Sequence, residues 1–202
     1  MSKIEIHNIQ ELIEQKYPPE VIKKFLDDIL LLSLHVKSDY PDYKQWYQTT
    51  QIPGIYDGSR NIIIAHIKNK IVGFVSLKKT PEEKKICTFY VEKNFRRHAI
   101  GSILATKAVE YLEEEKPLIT IPMDKLHEFT KIAKKYNWEV SEIKENLYRT
   151  TTPEVIVNGI ITDTNQSLTQ EKSLQKVYKI YKIERIKQVI KTILNNPQFL
   201  WK

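Results

Sequence analysis

An apolar, β-rich run at residues 86–91 (Ile-Cys-Thr-Phe-Tyr-Val) is followed, after a short polar turn, by a helix-compatible stretch at 99–115. No other feature restricts the fold as much. A strand delivered straight into a helix N-terminus leaves several backbone N–H groups without helical acceptors, all facing the positive end of the helix dipole. Such a corner attracts anions, and phosphates above all. Gly101 allows close backbone approach, and Arg96, Arg97 and His98 add positive charge around it. The bland alternative is an ordinary strand–helix junction with a basic surface turn. Rival phosphate motifs are missing: the chain has 5 glycines, and none builds a Walker or dinucleotide fingerprint.

The flanking pattern supplies the rest of the architecture. Residues 4–6 suggest a short strand, and 11–16 and 19–36 read as helices separated by Pro18 and Pro19. An aromatic-rich connector or short helix follows at 40–47. Strands are expected at 61–68 and 71–77 around a hairpin turn at 68–70, then at 84–91 after the turn at 80–83. The helix after the loop would bury Ile100, Ile103, Leu104, Ala108 and Leu112. A strand at 117–122, a helix at 126–136, and strands at 138–148 and 154–160 complete the order. The strand–helix–strand unit at 86–122 implies a local parallel pair, with antiparallel hairpins beside it. The expected class is α/β (α+β): a mixed central sheet flanked by helices over residues 1–160, followed by a basic helical extension over 161–202.

These residues also resemble a known family. The turn is similar to the Arg/Gln-x-x-Gly-x-Gly/Ala acyl-CoA loop of the GNAT superfamily of N-acetyltransferases, here Arg96-Arg97-His98-Ala99-Ile100-Gly101. The element order matches as well, from about residue 4 to 159. The resemblance implies acetyl-CoA as co-substrate, with the pyrophosphate held by backbone and charge from Arg96, Arg97, His98, Ala99, Ile100, Gly101 and Ser102. It also implies that Phe89, Tyr90 and Val91 align the pantetheine arm. Ala99 departs from the usual glycine, and its methyl should narrow the loop. An acetyl transfer to a primary amine by direct attack in a ternary complex would follow.

Catalytic groups are less legible. Acetylation needs an uncharged amine and a proton for the departing thiolate. Many members of the resembled family carry a basic carboxylate on the strand before the loop. Lys85 stands near that place here, and Glu83 just outside it is the candidate base, the alternative being a solvated turn. The family's usual acid tyrosine would fall at Ala133, counting back from Trp138, so Tyr136 and Tyr148 are the substitutes, with Tyr136 preferred. Tyr40, Tyr43, Trp46 and Tyr47 lie where relatives wall the acceptor pocket, or else form a packed connector. Cys87 reads as a half-buried strand residue and not as an acyl-carrying nucleophile. His127-Glu128 begins like a zinc-protease motif but position 131 is Lys131, and no metal site is expected.

Charge and apolar patterning limit partners. The net charge of +7 suits anionic ligands without implying nucleic acid. The single cysteine excludes an internal disulfide. The start, Met-Ser-Lys-Ile-Glu, lacks a secretory h-region, and the longest apolar run, 29–34, is too short to span a membrane. A cytoplasmic protein is the expectation. Residues 162–170 are linker-like, and 173–195 pattern as a basic amphipathic helix with Leu174, Val177, Tyr181, Ile186, Ile190 and Ile193 near one stripe. That helix either docks on the domain or a second subunit, giving a homodimer, or acts as a basic arm for RNA, DNA or a membrane surface. Packing is the preferred reading. The rival function is a non-catalytic CoA-binding regulator whose arm engages nucleic acid or a protein.

Overall fold

Asn8 closes the first strand, β1 (Ile4–Asn8), and caps the first helix, α1 (Ile9–Glu14), its Oδ1 accepting from the Gln10 and Glu11 amides at 3.0 and 3.4 Å. The computed structural model describes residues 3–36, 40–68, 70–149 and 151–161. The expected linker, basic helix and terminal Phe199-Leu200-Trp201 therefore lie outside the described residues. The chain divides into two compact units, Met1–Thr120 and one beginning at Ile121.

In the first unit, α2 (Pro19–Ser33) starts with a proline where its missing N–H costs nothing, and buries Ile22, Leu26, Ile29 and Ser33 at helical spacing. A single 3₁₀ turn, Leu34–Val36, ends it. The aromatic connector is more helical than its sequence suggests: α3 (Tyr43–Trp46) runs through a π-helical stretch, Tyr47–Gln51, into α4 (Ile52–Tyr56). Pro53 offers no N–H to the carbonyl four residues back and its ring crowds that group, which suits a wider turn just ahead of it. Tyr43 and Tyr47 are buried, packed with Leu26, Ile29, Ile62, Ile64 and Phe74. The Tyr47 hydroxyl donates to the Leu26 carbonyl at 3.0 Å.

The strands β2 (Arg60–Ile67), β3 (Lys70–Lys79) and β4 (Lys84–Val91) follow the expected hairpins, antiparallel throughout and preceded by β1 on the β2 edge. The helix α5 (Ile100–Leu112) then crosses to β5 (Leu118–Pro122), which runs parallel to β4 with Lys85 opposite Leu118 and Ile86 opposite Ile119. The sheet is mixed and flanked by helices, as expected. On α5 the buried stripe is Ile100, Leu104, Ala105, Ala108 and Leu112; Ile103, expected inside, is half-buried.

Gly73 sets how closely α5 meets the sheet. A Cβ there would lie 2.9 Å from the Tyr90 carbonyl oxygen, 3.2 Å from Leu104 Cδ1 and 3.4 Å from Ile100 Cγ2. Only glycine leaves room for the first turns of α5 at this height above β3. Strand alternation sends Phe89 and Val91 to the α5 face and Thr88 and Tyr90 to the opposite face with Phe74.

The second unit holds a 3₁₀ run, Met123–Phe129, and α6 (Thr130–Tyr136), where one continuous α-helix was expected over 126–136. Asn137 takes a left-handed conformation (φ 51°) that ends α6, a role asparagine tolerates. β6 (Val140–Lys144) and β7 (Glu154–Val157) pair antiparallel and are shorter than expected. No helix among the described residues is long and apolar enough to cross a membrane.

Candidate active site

The strand-to-helix corner is built by backbone hydrogen bonds that leave the first amides of the next helix without helical acceptors. After Val91 the Glu92 amide donates to the Val72 carbonyl at 2.9 Å, extending the pairing with β3 by one residue. A 3₁₀ turn, Lys93–Phe95, reverses the chain, with the Phe95 amide donating to Glu92 at 2.8 Å. Arg97 and Ala99 then adopt left-handed conformations, with φ of 64° and 61°. Those two residues turn the chain sharply enough to start α5 at once, at roughly 1–2 kcal/mol each for a residue bearing a Cβ. Ala99, expected to narrow the loop, stands where glycine would hold this backbone without strain.

Ala99 caps α5 with no side-chain acceptor, and the first helical bond runs from the Ile103 amide to the Ala99 carbonyl at 2.9 Å. The N–H groups of Ile100, Gly101 and Ser102 therefore have no acceptor within the helix. Arg96, Arg97, His98 and Ala99 are exposed around them, and Ile100 is buried beneath. Arg96 Nε donates to the Val91 carbonyl at 3.1 Å, which draws its guanidinium back over the strand end. His98 Nδ1 donates to the Arg96 carbonyl at 2.8 Å, since a carbonyl can only accept; this leaves Nε2 directed outward. Lys70 braces the turn from below, pairing with Glu92 at 2.7 Å and lying 5.5 Å over the Phe95 ring. A Cβ on Gly101 would sit 3.8 Å from Phe89 and 3.9 Å from Val91, ordinary contact distances. Gly101 is thus spared by the protein's own packing, and its bare surface is available to a ligand.

Along β4 the register against β3 slips between Ser76 and Leu77: Ser76 faces Thr88 and Leu77 faces Ile86. Cys87 is the extra residue of this bulge, which re-aims its side chain. Arg60 Nη1 approaches Cys87 Sγ at 3.5 Å and Gln51 Oε1 at 3.4 Å, and Arg60 Cζ lies 5.4 Å from the Trp46 ring centre. Residue Cys87 is half-buried, but its thiol is enclosed, and burial pushes the thiol above its ordinary 9.0 despite the nearby Lys85 and Arg60. A protonated thiol is a poor nucleophile. Beside it, Tyr43 brings its hydroxyl toward those of Thr88, Ser33 and Ser76. Burial raises the Tyr43 hydroxyl and these neighbours partly offset the rise, although none meets full hydrogen-bond geometry. This buried cluster of hydroxyls beside β4 has only a faint sequence signal, two hydroxyl residues, Ser76 and Thr88, interrupting otherwise apolar strands.

Glu83 is in the β3–β4 turn, where its amide and carbonyl bond with Thr80 at 3.3 and 3.0 Å, and its carboxylate pairs with Lys78 at 2.6 Å. Four steps along the chain, about 13 Å when extended, separate it from the bulge at Cys87. Tyr136 closes α6 in the second unit, stacked on Trp138 at 6.1 Å with Lys135 Nζ 4.7 Å from its ring centre. Tyr148 is exposed.

A family model described as the Acetyltransferase (GNAT) family matches residues 19–123, just over half of the chain. The protein belongs to that family. Among solved structures, a GNAT-family protein from Desulfovibrio desulfuricans is 10% identical, with 77% of this chain and 97% of that one covered at a TM-score of 0.50. Nourseothricin acetyltransferase is 13% identical, with 50% of this chain and 65% of that chain covered at a TM-score of 0.44. This chain thus spans slightly under two thirds of that enzyme. A GNAT family acetyltransferase from Elizabethkingia anophelis, solved with acetyl-CoA bound, is 17% identical over 55% of this chain and 82% of that one, at a TM-score of 0.43. At these identities the likeness is one of fold. No protein of curated function matches the sequence significantly.

Proposed function

We propose that this protein transfers an acetyl group from acetyl-CoA to a primary amine by direct attack in a ternary complex. The observation that carries the reading is the start of α5, where the amides of Ile100, Gly101 and Ser102 lack helical acceptors and Arg96 and Arg97 stand exposed beside them. A diphosphate matches that corner in charge and in hydrogen-bonding demand. From there the pantetheine arm would follow Phe89, Tyr90 and Val91, beyond the stretch of β4 whose Lys85 and Ile86 pair with β5. Its backbone groups offer an extended ligand strand-like bonds.

When bound, acetyl-CoA supplies the activated thioester. The protein's part is to orient it against an amine and to manage two protons. The raised Cys87 thiol argues for direct attack over a covalent acyl-enzyme. Glu83, held by Lys78 in the turn, would take the amine proton through intervening water, and Tyr136 is the assigned acid.

Calorimetry with acetyl-CoA, followed by thiol release across a panel of amines, tests this reading. Acetyl-CoA should bind, and Gly101→Glu should abolish binding while leaving the fold intact, because it sets bulk and negative charge where phosphate oxygens approach. Undiminished affinity in the folded variant would remove the site. Binding without thiol release on any amine would remove the activity.

A further inference from the structure

The edge strand β1, three strands from β4, carries a second cluster of chemistry. Glu5 and His7 stand on the same face of β1, two residues apart, and Glu5 is directly opposite His66 in β2. The ligand atoms of Glu5, His7 and His66 all lie within 4.8 Å of one another. His7 Nε2 and Glu5 Oε2 are already 3.8 Å apart. Tetrahedral zinc with bonds near 2.1 Å asks for ligand atoms about 3.4 Å apart, so side-chain rotation alone closes the set.

Two further observations favour a ligand over a chance grouping. His66 Nδ1 is buried with no hydrogen-bond partner among the described residues, an unmet demand on one of the three side chains. The rings are also held in place. Phe25 of α2 stacks on His7 at 6.0 Å with an interplanar angle of 25° and meets His66 edge-on at 6.0 Å and 88°. Against β1 the register is regular here, Glu5 opposite His66 and Ile6 opposite Ala65, which keeps His66 on the face that carries Glu5 and His7. From α2, Lys24 and Asp28, paired at 3.2 Å, both face His66 and act on it in opposite senses.

The geometry points to a divalent metal site of the zinc class, formed by Glu5, His7 and His66 and clipping the edge strand β1 to β2. Two imidazoles and a carboxylate suit zinc, with cobalt or nickel as substitutes, and do not suit calcium or magnesium, which take oxygen ligands. Three protein ligands leave a tetrahedral ion one position for water. No short sequence spacing signals this set, because His66 reaches Glu5 and His7 only through the pairing of β1 with β2.

The test uses the untagged, chelator-treated full chain and zinc chloride alone. Calorimetry should find one saturable zinc site per chain, with His7→Gln or His66→Gln weakening it about tenfold or more and the double variant abolishing it. Zinc should also raise the melting temperature of the parent and not of the double variant. Imidazole resonances of His7 and His66 in the parent chain should shift on zinc addition while those of His98 and His127 stay, a measurement that holds even if a variant misfolds. Absence of saturable binding, shifts at His98 or His127 in place of His7 and His66, or undiminished affinity in the folded double variant would each overturn the site.

Discussion

Gly73 lies on β3 against Leu104 and Ile100 of α5, Gly101 lies in the first turn of α5 against Phe89 and Val91 of β4, and the same substitution should act oppositely at the two positions. In Gly73→Ala the new methyl meets the Tyr90 carbonyl oxygen at 2.9 Å, and that oxygen belongs to the β3–β4 ladder and cannot swing away. Restoring ordinary contact asks for about half an ångström of separation, shared between β4 and the first turn of α5 that carries Leu104 and Ile100. Overpacking of this kind costs about 1–3 kcal/mol. Replacing glycine within a strand returns roughly 0.5–1 kcal/mol through the unfolded chain. The net loss should be between about 0 and 2.5 kcal/mol. In Gly101→Ala the methyl meets Phe89 and Val91 at 3.8 and 3.9 Å, so no strain is added. The helix gains up to about 1 kcal/mol. Urea unfolding of both variants measures the difference, a lower midpoint for Gly73→Ala and an equal or higher one for Gly101→Ala, with unchanged m-values. Acetyl-CoA titration then separates the effects, since Gly101→Ala should bind more weakly although it is the more stable protein. If Gly73→Ala raises the midpoint as Gly101→Ala does, the methyl meets no resistance, the close approach of α5 is not what positions the corner and the argument fails.

Ala99→Gly should relieve the left-handed strain at φ 61° and, after the entropy cost of glycine in the unfolded chain, leave stability unchanged or raised by up to about 1 kcal/mol; a clear drop in the unfolding midpoint would refute this. Cys87→Ala should cost about 1 kcal/mol or less and retain turnover, so loss of turnover with intact acetyl-CoA binding would overturn direct attack. The thiol also has a pH signature. Its folded value is raised above the ordinary 9.0, so the folded chain keeps the proton that the unfolded chain gives up. Alkylation at pH 8 should therefore be slower than for a free thiol, and the thiol's contribution to stability should be complete below pH 9 and fall as pH rises beyond it, measurable by comparing parent and Cys87→Ala.

Local sequence determined the pieces that local physics controls. The strand expected at 84–91 is β4 residue for residue, because alternation and the flanking turn residues act within a few positions. The corner at Arg96 to Ser102 was equally legible, since it needs only a strand end, a helix start and a glycine between them. Asn137, Pro19 and Asn8 mark helix boundaries by the same short-range chemistry. Tertiary structure decided the rest. Pro53-Gly54 looks like a breaker in sequence, yet helix continues through it, because Tyr43 and Tyr47 gain a buried place against Leu26 and Phe74. Gly73 looked like any strand glycine until α5 was laid 3.2 Å from its missing Cβ. The bulge at Cys87 arises from a register between two strands, a property that neither strand has alone. Glu5, His7 and His66 meet for the same reason: pairing between β1 and β2 is chosen by burying the isoleucines of the whole sheet face, and the side chains carried along with them come together without any signal in their own neighbourhoods.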